Sequence, residues 1–273
     1  MPVTTSQQII HYFEHFSQAE VTFTKEVVRA IKLNSKHVYI KCLGSQWPCV
    51  VYAASMTSAK IIANLAGGLN ESIKKANNVV QLRFSFAEDG KSNPIAFFVS
   101  GRVVGVTPYG NDDNGLFFAN LEFSQRPPDD LIQILGELLE ANVNAKRRQE
   151  LRIPLSPQNI KCLGLAVDRC TLSIEGVRRR AILRDVSFSG CKAVLVGVPG
   201  FLVDKPATVR FVFHDPDQAY EVTGAICRYD PVEGRADIAA FGIRFDEKRV
   251  PMGYKMRINT AVKQLQTGAK GRS

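Results

Sequence analysis

Two short runs of side chains stand out for the chemistry they can do. Arg148-Gln149-Glu150-Leu151-Arg152 sets two guanidinium groups four positions apart, with Arg147 just before them. Further along, Asp185-Val186-Ser187-Phe188-Ser189-Gly190 offers a carboxylate, a hydroxyl and a residue without a Cβ. Guanidinium groups pair with phosphate oxygens, fork onto base edges and stack on flat rings, so the first run suits an anionic ligand. Each run also has a plainer reading. The arginines can end a helix and satisfy its dipole. Asp185 and Ser187 can hold a tight turn, with Gly190 supplying a positive φ.

The two runs differ in how much they say. The chain has 19 arginines, and Arg180-Ala181-Ile182-Leu183-Arg184 repeats the RxxxR spacing by itself. A [D/N]xSxxG run is rarer, about 0.1 copies being expected in a chain of this composition. The order of the two, one upstream of the other, is the informative part.

Charge singles out the same half. Residues 1–145 hold 12 Lys and Arg against 13 Asp and Glu, whereas residues 146–273 hold 23 against 13. A half at net −1 followed by one at net +10 points to an anionic partner for the second: nucleic acid, a phosphorylated small molecule or a membrane surface. The six cysteines form no CxxC pair and lack histidines at metal-ligand spacing, which reads as a reduced, cytoplasmic protein. His11 and His15 share a helical face but have no third ligand nearby, so no metal is expected. No run approaches the length of a membrane span, and the N-terminus lacks a signal-peptide pattern. No nucleophile–base order, phosphate loop or dinucleotide fingerprint is present, so an enzyme is not expected.

The elements that must position these residues are mainly strands. In the first half, Ser6–Phe16 has helical spacing, and strands are expected at 37–42, 48–53, 60–65, 79–86, 95–106 and 116–123, with breaker-rich turns at 88–94 and 109–115. Pro127-Pro128-Asp129-Asp130 opens a helix whose apolar stripe, Leu131, Ile134, Leu135, Leu138 and Leu139, runs toward Lys146-Arg147-Arg148. The domain junction is expected there, giving domains 1–145 and 146–273. Strands then recur at 162–167, 177–183, 191–196, 207–213, 220–229 and 236–245, before a helix at 250–265. Six short strands at this spacing suggest a closed antiparallel barrel. The expected class is mainly β with peripheral helices, as two small barrels without an internal sequence repeat.

RxxxR followed by [D/N]xSxxG ahead of a six-stranded barrel resembles the PilZ family of cyclic di-GMP receptors, over about residues 146–266. The likeness extends to Gly242-Ile243-Arg244-Phe245 and to the closing helix. It implies that Arg148 and Arg152 wrap the ligand, that Asp185 and Ser187 take the N–H donors of a guanine edge, and that Gly190 lets backbone and ligand approach. Arg147 is implied as a further contact. Gly242 and Phe245 are expected to be packing, and Cys191 and Cys227 core. The first half carries neither motif and is expected not to bind the messenger. The arrangement resembles two-domain PilZ proteins that act on motility through a protein partner. A nucleic-acid-binding protein using the basic half is the alternative, disfavoured by the scarcity of aromatics interleaved with Lys and Arg. A PilZ module kept only for protein interaction is a third reading.

Overall fold

The computed structural model describes residues 5–65, 68–87, 94–110, 115–148, 151–214 and 217–270. Most of the turns expected at 88–94 and 109–115, and Gln149 and Glu150, lie outside them. The chain separates into two compact units, Met1–Leu139 and Glu140–Ser273.

The first unit contains α1 (Ser6–His15), β1 (Val21–Thr22), α2 (Lys25–Ala30), β2 (Tyr39–Cys42), β3 (Ser45–Ala54), β4 (Ser58–Asn64), α3 (Leu69–Lys75), β5 (Val79–Phe86), β6 (Ile95–Pro108) and β7 (Leu116–Phe123). Helix α4 (Asp129–Arg147) begins here and ends in the second unit. Strands β3-β2-β5-β6-β7-β4 are joined in that order, and β4 pairs back onto β3. The six antiparallel strands therefore form a closed barrel, which leaves the ring without exposed edges. Period-two alternation fills it: Cys49, Val51 and Ala53 point inward on β3, while Val50 and Tyr52 face outward. The start of α4 packs Leu131, Ile132 and Leu135 out of solvent. Gly136 is fixed by crowding, since a Cβ there would sit 2.3 Å from the Tyr12 ring.

The second unit contains β8 (Ile153–Pro154), α5 (Pro157–Leu163), β9 (Thr171–Ile174), β10 (Val177–Arg179), β11 (Ala181–Val186), β12 (Gly190–Val196), α6 (Pro199–Leu202), β13 (Pro206–Phe213), β14 (Gln218–Val232), β15 (Arg235–Phe245) and α7 (Met252–Lys270). Its sheet has the order β10-β9-β13-β14-β15-β12-β11-β8. The end members β8 and β10 are only two and three residues long, leaving six principal strands. Arg180 alone separates β10, at one end of the sheet, from β11, near the other. Chain continuity thus draws the two ends together, and the sheet curls into a barrel. Arg178 and Arg179 lie exposed on the end strand β10, where charge discourages further pairing. Helix α7 covers the core with Tyr254, Ile258, Ala261 and Val262. The Tyr254 ring meets Phe211, Phe213 and Phe245 at centroid distances of 4.9, 6.4 and 5.9 Å.

One expected strand is replaced. Residues 162–167 run from the end of α5 through Gly164 and an isolated bridge of Leu165 to Phe213 into a 3-10 turn at Val167–Arg169, and the strand comes later, as β9. Local capping explains it. Ser156 accepts a hydrogen bond from Asn159 N (3.3 Å), Pro157 starts the helix, and Gly164 ends it at φ 64°. Helix α2 was hidden in the same way, behind the Thr24 cap on Val27 N. The cysteine expectation also divides. Cys191 is fully buried, whereas Cys227 is exposed, because a bulge in β14 turns it out of the core.

Candidate functional site

The two motifs meet because of a two-residue strand. β8 pairs with β11, setting Ile153 opposite Val186 and Pro154 opposite Asp185. Arg152, next before β8, then donates from Nη1 to Asp185 Oδ1 at 2.6 Å. The pair is half-exposed, with 36% and 18% of the two side chains open to solvent, so it orients groups more than it stabilises the fold. The other Asp185 oxygen has no partner among the described residues. Arg147 is exposed in the last turn of α4. Arg148 follows, bonded through its backbone to Asn144 O at 2.8 Å and reaching Gln266 Oε1 at 3.4 Å. The end of α4 is held on α7 by Asn144 donating to Asn259 (2.7 Å) and by Lys263 on Glu140 (2.6 Å).

Ser187 and Gly190 have other duties. Ser187 is fully buried, and its Oγ donates to Gly190 O (2.9 Å) while accepting from Gly190 N (3.0 Å). Ser187 N also donates to Gly190 O (2.8 Å), closing the β11–β12 turn. Tyr254 Oη donates to Ser187 O at 2.8 Å, which ties the turn to α7. Burial raises the Tyr254 phenol well above its ordinary value, so it stays a neutral donor. The hydroxyl expected on a guanine edge is therefore engaged in the turn. Gly190 does not take a positive φ. A Cβ there would lie 2.4 Å from Ile243 O, so glycine is required by the approach of β12 to β15.

Beside Arg152 and the turn lies an open cavity of about 910 Å³, lined among others by Ser189, Cys227, Arg228, Arg244 and Asp246. A smaller one, about 230 Å³, shares Ser189 and is bordered by Lys146, Lys248 and Lys255. The larger has the dimensions of a small-ligand pocket and is bordered by three guanidinium groups. Sequence reading missed Arg228 and Arg244. Their only signal is that arginines on adjacent strands flank Gly242, and that requires the strand register. Phe245 is core, as expected, but Gly242 lies beneath the Arg228 side chain, which a Cβ would meet at 2.9 Å. Cys191, behind the turn, is held protonated by burial. Among the described residues there is no group of three potential metal ligands; His11 and His15 simply stack at 5.3 Å. No described helix is long and apolar enough to cross a membrane.

Comparison with known proteins also divides the chain into two domains. A PilZN3 domain model matches residues 7–142, and a PilZ domain model matches residues 146–263. A Treponema denticola protein named "Cyclic di-GMP binding protein" is 38% identical over 259 residues, covering 95% of this chain and 82% of the relative. The chain belongs to the PilZ family. The PilZ model covers both RxxxR and DxSxxG, and the PilZN3 model covers the barrel without them. Among solved structures, Borreliella burgdorferi PlzA in complex with c-di-GMP is 21% identical, covering 94% of this chain and 98% of that one, with a TM-score of 0.43. Escherichia coli YcgR in complex with c-di-GMP is 12% identical, covering 98% and 94%, with a TM-score of 0.31.

Proposed function

We propose that this PilZ protein is a non-enzymatic receptor that binds cyclic di-GMP on its second barrel. The observation that carries the reading is the Arg152–Asp185 contact, which joins the two motifs at the edge of the larger cavity. The name of the Treponema denticola relative supports it. Arg147, Arg148 and Arg152 supply the cationic clasp for phosphates and bases. Asp185, steered by Arg152 on one oxygen, presents the other to the N–H donors of a guanine edge. Ser187 and Gly190 act through the turn, holding Asp185 and Ser189 in place. The first barrel has neither motif and does not bind the messenger.

The signalling step follows from the position of the cations. Lys146, Arg147 and Arg148 are three successive positive charges where α4 gives way to β8. Ligand phosphates relieve their repulsion and tighten this end of α4 on the second barrel. Because α4 is rooted in both units, this fixes one arrangement of the two, which a protein partner then reads, with motility as the output.

Calorimetric titration of cyclic di-GMP into the full chain tests the receptor step. Micromolar or tighter binding, lost in Arg152→Ala and Asp185→Ala with the fold intact by circular dichroism, is the expected result. A folded wild type that takes up no ligand sinks the reading. Solution scattering with and without saturating ligand tests the second step, and unchanged profiles would remove it.

A further inference from the structure

Two β-bulges place an unassigned arginine on the row that carries Asp185. The β11–β12 register shifts between Leu183 and Asp185, and the β14–β15 register shifts between Ile226 and Arg228. A bulge re-aims the residue that follows it. The result is one cross-strand row on four strands, Asp185 opposite Lys192, Lys192 opposite Gly242, and Gly242 opposite Arg228. The motif carboxylate stands at one end and Arg228 at the other.

Gly242 makes room for Arg228 to use this position. The arginine stem lies across β15 over the glycine, with Cγ, Nε and Cδ at 2.9, 3.2 and 3.6 Å from the point a Cβ would occupy. The side chain borders the larger cavity and is exposed. It has no hydrogen bond or ion pair among the described residues, while Asp230, two positions on, is held by Lys192 at 2.6 Å. The first barrel has the corresponding bulge, between Val103 and Gly105, but there the paired residues are Gly105 and Asn120. A glycine thus serves at that bulge, and Arg228 is not needed to build it.

We infer that Arg228 is a ligand-binding residue, its guanidinium forking onto the O6 and N7 edge of a guanine. The inference rests on the cyclic di-GMP reading above. A guanidinium holds both acceptors of that edge in a fixed planar fork, whereas lysine, a point charge on a flexible stem, serves a phosphate more readily than it holds two acceptors at once.

The test is titration of cyclic di-GMP into wild type, Arg228→Ala, Arg228→Lys, Gly242→Ala and Arg152→Ala, with circular dichroism on each. Arg228→Ala is expected to weaken binding about tenfold or more. Arg228→Lys should stay within about threefold of the alanine variant. Gly242→Ala should fold, since its new methyl meets only a flexible stem, and should weaken binding by displacing Arg228. Wild-type affinity in Arg228→Ala, alongside loss in Arg152→Ala, overturns the inference and leaves the receptor reading standing. Full rescue by lysine overturns the base contact. No binding by folded wild type removes both readings together.

Discussion

The two barrels are built to one plan and differ where the ligand chemistry sits. Each runs through a short strand, a capped helix, a 3-10 turn, three strand segments or their split equivalents, a helix, three strands and a long helix. Each pairs its short first strand with the strand before a serine turn: β1 with Ala53 and Ala54, β8 with Asp185 and Val186. The turns themselves match. Ser55 accepts from Thr57 N (3.1 Å) and Ser58 N (3.0 Å), and Ser55 N donates to Ser58 O (2.9 Å), much as Ser187 and Gly190 bond one another. Both serines are buried. Around that shared turn, Glu20 stands where the second barrel has Arg152, Ala53 where it has Asp185, and Gly105 where it has Arg228. The serine is therefore common to both barrels, while the arginine–carboxylate pair belongs to one. The turn is a device of the fold, and the charged groups hung beside it distinguish the second barrel.

The comparison can be broken most forcefully at Gly190. Gly190→Ala pushes a methyl into Ile243 O, and chemical denaturation should show the second barrel destabilised by about 3 kcal/mol. Ser58, its counterpart, already carries a Cβ, so Ser58→Ala should cost only about 1 kcal/mol, from its 2.8 Å bond to Ser55. Equal losses would mean the turns are less alike than their hydrogen bonds indicate.

Arg152→Ala should remove cyclic di-GMP binding measurable by calorimetry, a loss of about thirtyfold or more, with little change in melting temperature. Glu20→Ala should leave binding unchanged. If both alter affinity, the first barrel shares in the site. Ser187→Ala and Ser55→Ala should each cost about 1–2 kcal/mol in denaturant unfolding. Affinity lost in a fully stable Ser187→Ala would return the hydroxyl to the ligand.

The smallest effect concerns Tyr254. Its phenol is raised above the unfolded value near 10, so its contribution to stability is complete below about pH 10. That contribution is lost as pH rises through the folded value. Tyr254→Phe should flatten this alkaline decline in melting temperature and cost about 1 kcal/mol at neutral pH. An unchanged decline would assign it to other groups, such as Cys49, whose thiol burial pushes up to about 12.

Sequence by itself determined the mainly β class, the long amphipathic helices α4 and α7, most strands, and both charged motifs. These are written in local periodicity and in residues close along the chain. It also placed Arg147, Arg148, Arg152 and Asp185 as candidates by residue type and order. Only the tertiary structure decided that Ser187 and Gly190 serve the turn, because the partners that fix them, Tyr254 and Ile243, lie on distant elements. It alone brought Arg228 over Gly242, since register and two bulges set which residues share a row. It alone showed that the two expected barrels share one element order and one serine turn, because a barrel requires inward apolar side chains and tight turns, and many sequences satisfy both.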